Sequence, residues 1–91
     1  KYSHFSNRMF WRHMDTLGQR IKGARLAKEM TQQAVTDAMK AAGKPIDVSF
    51  VALMETDRSK PSIDTLAALA TVLSVDANYL LEPLQAVYNG N

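Results

Sequence analysis

Between Leu17 and Leu81 apolar residues recur three and four positions apart, and no stretch alternates apolar with polar residues as a half-buried strand would. The first spacing is the period of an α-helix and the second is that of a strand, so the chain is confined to all-α architectures. Leu17, Ile21 and Ala24 make one stripe on a helix running from Thr16 to about Glu29, with Arg20, Lys22 and Lys28 off the stripe. Thr31, followed by Gln32 and Gln33, reads as the N-cap of a second helix to about Ala41, with Val35, Ala38 and Met39 turned inward. Gly43, Lys44 and Pro45 end it. Asp47 is a suitable N-cap for a third helix, reaching about Thr56 and burying Val51 and Met54. Ser62 caps a fourth, whose Ile63, Leu66, Ala67, Leu69, Ala70 and Leu73 are so uniformly apolar that it is expected to be central. A fifth begins near Asp76 and carries Tyr79, Leu80 and Leu81. The expected fold is a compact bundle of four to five short helices.

A chain of 91 residues with 46% apolar content is one domain with a real core. So short a domain buries a smaller fraction of its surface than a large one, so marginal stability is expected unless it dimerises or is one part of a longer chain. The longest apolar run, AALATVL from Ala67 to Leu73, falls far below the ~18 residues of a spanning helix, so no membrane is expected. The absence of cysteine excludes disulfides, thiolate metal sites and a cysteine nucleophile, and fits a cytoplasmic location such as the bacterial cytoplasm or nucleoid. Net charge is only +2, but residues 1–44 hold nine Lys/Arg against three Asp/Glu, while residues 45–91 hold two against six. Such asymmetry suits an anionic partner, of which nucleic acid is the commonest, or a merely solvated basic surface.

Residues 1–15 are set apart as a basic, aromatic N-terminal arm or extra helix containing Phe5, Phe10, Trp11, Arg8 and Arg12. They could equally lie upstream of a start at Met9 or Met14, or be foreign to the native chain. Residues 16–82 form the domain and 83–91 a tail or linker, in which Leu84, Val87 and Tyr88 either close the core or extend into a dimer interface. His4 and His13 stand nine residues apart in the arm with no carboxylate arranged near them, so neither a metal site nor a general base is indicated. Asp57, Asp64 and Asp76 read as turn or cap residues. No cofactor and no enzymatic activity are expected.

The run TLGQRIKGARLAKEMTQQAV, then Glu55 followed by Pro61 and Ser62, then IDTLAALATVLSVDANYLL, resembles the lambda-repressor-like helix-turn-helix domains. That family includes many phage repressors and bacterial regulators of the xenobiotic-response-element (Cro/CI) type. The resemblance implies a sequence-specific, double-stranded-DNA-binding transcriptional regulator, a repressor of phage or bacterial type. It would act as a homodimer on a palindromic operator. It also implies that a helix-1 arginine and a helix-3 glutamate pair to position the reading helix, places held here by Arg25 and Glu55. Helix 3 would enter the major groove while helix 2 clamps the backbone. The expected contacts are Thr31, Gln32 and Gln33 at a phosphate, Val48, Ser49, Ala52 and Leu53 at base edges, and Lys40, Lys44, Arg58 and Lys60 along the backbone. Arg8 and Arg12 would follow a groove. A helix N-terminus such as that at Thr31 is an anion site on physical grounds alone, because its first amides are unpaired.

Two features depart from the family's pattern. The turn between helices 2 and 3 is lengthened around AAGKP, which either displaces helix 2 or adds Lys40 and Lys44 as backbone contacts. The outward face of helix 3 is apolar, with only Ser49 able to hydrogen-bond a base. That face could read thymine methyl groups in A·T-rich sites. It could instead be core beneath a folded-back turn, or a site for a protein partner. The last reading makes the domain an interaction module, for instance an antitoxin, anti-repressor or assembly factor, on the same fold.

Overall fold

The computed structural model describes residues 16–88, with side chains as far as residue 84. The arm, including Arg8, Arg12, His4 and His13, lies outside the described residues. Five helices follow one another: α1 Leu17–Ala27, α2 Gln32–Ala41, α3 Val48–Glu55, α4 Ile63–Leu73 and α5 Ala77–Tyr88, with no strand among the described residues.

Helix starts follow the caps. The Thr16 hydroxyl accepts the Gln19 amide at 3.1 Å while the Gln19 side chain accepts the Thr16 amide at 3.3 Å, a reciprocal capping box. Thr31 accepts from the Ala34 amide at 2.9 Å and Ser62 from the Thr65 amide at 3.2 Å. Each such cap contributes about 1 kcal/mol to its helix. Asp47 differs from expectation. It stands at the N-cap of α3 with extended backbone, but its side chain makes no cap bond and is exposed. The Phe50 amide, which that carboxylate would have received, donates instead to the Asp47 carbonyl at 3.0 Å.

Helix ends are set by left-handed residues. Glu29, Gly43, Asp57 and Ser74 have φ of 57°, 84°, 62° and 59°, and the residue after each donates its amide back across the last turn. α1 therefore stops at Ala27 rather than near Glu29, because Met30 and Glu29 are turned back onto the carbonyls of Arg25 and Leu26. Gly43 does the same for α2. The lengthened turn is thus anchored at one end, and Ile46 anchors the other by packing against the core. α2 stays packed on α3, and the turn does not displace it.

The core takes Leu17, Ile21 and Ala24 from α1, Val35 and Met39 from α2, Val51 and Met54 from α3, Leu66, Leu69, Ala70 and Leu73 from α4, and Leu80 from α5. α1 packs on α3, α4 and α5, and α2 on α3 and α4. Ala38, Tyr79 and Leu81 are only half-buried. Two expected core positions of α4 are not core: Ala67 is exposed and Ile63 is 69% exposed. Ala67 is rotated about 100° from Leu66, and Ile63 shares an exposed first turn with Asp64.

α5 continues through Pro83 to Tyr88. A proline has no N–H to give the carbonyl one turn back, here that of Tyr79. Arg20 of α1 supplies a donor in its place: Nη1 reaches the Tyr79 carbonyl at 2.7 Å and Glu82 Oε1 at 2.6 Å, and the guanidinium lies 4.6 Å from the centre of the Tyr79 ring. Burial pushes the Tyr79 phenol up from its ordinary value, with Arg20 drawing it down and Glu82 adding to the rise.

Candidate nucleic-acid interface

α3 is short, and its placement rests on bonds gathered at its C-terminal end. Arg25 Nε donates to Glu55 Oε2 at 2.6 Å and Nη2 to Oε1 at 3.0 Å, a two-pronged pair with both residues buried. Nη1 of the same guanidinium donates to the Met30 carbonyl at 2.9 Å, so one arginine fastens α3 and the α1–α2 turn together. Gln32 adds a third donor, its Nε2 reaching Glu55 Oε1 at 3.1 Å. Every oxygen of the buried carboxylate thus has a partner, as desolvated charge demands.

Just beyond α3, Asp57 Oδ1 accepts the Gly18 amide at 2.8 Å and Oδ2 accepts the Thr16 hydroxyl at 2.6 Å. A carboxylate at the start of α1 is favoured by the helix dipole. Gly18 is required there. A Cβ at that position would stand 2.4 Å from the Met54 carbonyl oxygen and 2.8 Å from that of Glu55.

The face of α3 turned away from these anchors is open. Val48 is 39% and Leu53 38% exposed, Ser49 is exposed and Ala52 half-buried. The turn does not fold back over them, which removes the reading of this face as core. Phe50 lies at the edge, half-buried against the core. The Ser49 hydroxyl has no hydrogen-bond partner among the described residues. The Thr56 hydroxyl, also on this side, donates to the Ala52 and Leu53 carbonyls at 3.3 and 3.2 Å.

Around this face the structure distributes the other candidates unevenly. Thr31 is occupied as the α2 cap, while the backbone amides of Gln32 and Gln33 in the first turn have no partner among the described residues. The side chains of these two glutamines are engaged, Gln32 with Glu55 and Gln33 with Asp37 at 3.0 Å. What α2 offers an anion is therefore its amides more than its glutamine side chains. Lys40, Arg58 and Lys60 are exposed; Lys44, half-buried, lies 3.9 Å from Asp64. Along the chain Lys44 precedes α3, and Arg58 and Lys60 follow it.

The Gln32 link to Glu55 and the Gly18–Asp57 junction are absent from the sequence reading. Neither has a local signature, because each joins residues 23 or more positions apart.

A family model described as helix-turn-helix matches residues 21–80, from α1 into α5. No curated protein and no solved structure matches the chain.

Proposed function

The chain belongs to the helix-turn-helix family, and on that premise we propose that it is a sequence-specific transcriptional regulator, a repressor of phage or bacterial type acting in the cytoplasm or nucleoid. The observation that carries this reading is the exposed face of α3, Val48, Ser49, Ala52 and Leu53, presented by a helix fixed through the buried Arg25–Glu55 pair. In the proposed complex α3 enters the major groove. The amides of Gln32 and Gln33 at the start of α2 meet a phosphate, with Thr31 holding that turn in shape. Lys40, Lys44, Arg58 and Lys60 lie along the backbone and set the register, which phosphate contacts do without reading sequence. Residues 16–82 make up the binding domain, the arm with Arg8 and Arg12 follows a groove, and two chains bind a two-fold-related operator.

Selection from a pool of random duplexes tests this directly. Enrichment of a palindromic sequence is expected. Failure to enrich any sequence at low salt would remove the proposal and favour the second reading, in which the same apolar face takes a protein partner.

A further inference from the structure

The face of α3 is poor in the groups that read bases by hydrogen bonds. It carries no guanidinium, ammonium or amide to pair with guanine or adenine edges. Successive helical residues turn by about 100°, so Ser49 and Thr56 point nearly the same way, with Leu53 on one side and Ala52 and Val48 on the other. The Thr56 proton is committed to the helix carbonyls behind it. Among the described residues of this face, Ser49 is left as the one uncommitted hydroxyl, between apolar groups.

What such a face can detect in the major groove is a methyl group. Thymine carries one at C5, and 5-methylcytosine carries the same group at the same ring position. Beside it the two bases differ, thymine presenting the O4 acceptor and cytosine the N4 amino donor. A hydroxyl both donates and accepts, so Ser49 suits either neighbour. Asp47, exposed at the start of α3 with its carboxylate free of any cap bond, is an acceptor only and suits the amino group.

We propose that α3 reads C5-methyl pyrimidines, with Val48, Ala52 and Leu53 contacting the methyl group of thymine and 5-methylcytosine alike, so that methylating a cytosine in the site creates affinity. The inference rests on the DNA-binding reading and deepens it. Charge favours this occupant over a protein, because Arg58 and Lys60, exposed just after α3, suit a groove walled by phosphates.

The test uses the full chain and the sequence enriched from random duplexes. Each thymine is replaced in turn by uracil, which deletes only the methyl group. At the contacted positions affinity is expected to fall about fourfold, the partition of one buried methyl-sized group. Changing such a T·A pair to C·G should weaken binding, and methylating that cytosine at C5 should restore about the same factor. In Leu53→Ala, checked for an unchanged unfolding midpoint, the response at one of these positions should disappear. An enriched site indifferent to uracil everywhere, or one at which cytosine methylation does nothing or weakens binding, overturns methyl reading while leaving DNA binding intact. No enriched site at all, including the case in which the face takes a protein instead, removes both proposals together.

Discussion

At the scale of single residues, Gly18 and Asp57 decide how closely α1 approaches the end of α3. Gly18→Ala puts a methyl group against two backbone carbonyls that cannot swing aside. The expected result is destabilisation of at least about 1 to 3 kcal/mol, the range for overpacking, read as a lower urea midpoint at unchanged slope. An alanine variant as stable as the parent would mean that the junction is looser than described. The caps at Thr31 and Ser62 were legible in the sequence because a cap is a local arrangement, a hydroxyl three residues ahead of the amide it accepts. The Gly18 constraint was not, since it depends on carbonyls supplied by Met54 and Glu55 after folding. Asp57 was legible as a turn residue but not as the acceptor for the first turn of α1. Gln32 sits at the expected start of α2, yet its side chain faces Glu55, and sequence spacing alone could not distinguish that partner from a phosphate.

At the scale of elements, two polar links hold helices that are distant in sequence. Arg25 and Glu55 share one buried interaction, so removing either leaves the other charged and unpaired, a loss of about 3 to 5 kcal/mol. Arg25→Met and Glu55→Leu together should cost less than the two separate losses added, in a double-mutant cycle followed by urea unfolding. Strict additivity would contradict the pairing. Arg20 and Pro83 allow a second cycle with a different logic. Arg20→Met takes the guanidinium from the Tyr79 carbonyl, while Pro83→Ala supplies the missing helix N–H. Adding Pro83→Ala to Arg20→Met is expected to recover part of the loss, on the order of the 0.5–1.5 kcal/mol of one hydrogen bond. A double variant weaker than Arg20→Met alone would show that Pro83 serves α5 in some other way. The number and order of the helices were readable from apolar period and turn residues. The extent of α4's buried face was not, because the uniform run beginning at Ile63 does not reveal where its packing partners end.

At the scale of the whole molecule, charge and surface act together. If two chains neutralise six to eight phosphates, log affinity should fall against log salt with a slope of roughly −5 to −7. A slope near zero, measured by titration from low to moderate salt, would deny the phosphate contacts assigned to the α2 amides and to Lys40, Lys44, Arg58 and Lys60. The proposed specificity rests elsewhere, on α3, whose apolar outward face was legible from helical geometry, whereas its exposure, with the lengthened turn not folded over it, needed the structure. The most direct measurement is therefore the affinity of the parent chain and of Leu53→Ala for the enriched operator and for a scrambled duplex, with unfolding recorded on the same preparations. Leu53→Ala is expected to weaken binding to the operator by roughly 1 to 3 kcal/mol, the range of one good base contact, while affinity for scrambled DNA and stability hardly change. An unchanged preference for the operator, or an equal loss on both duplexes, would contradict the assignment of α3's exposed face as the reading surface.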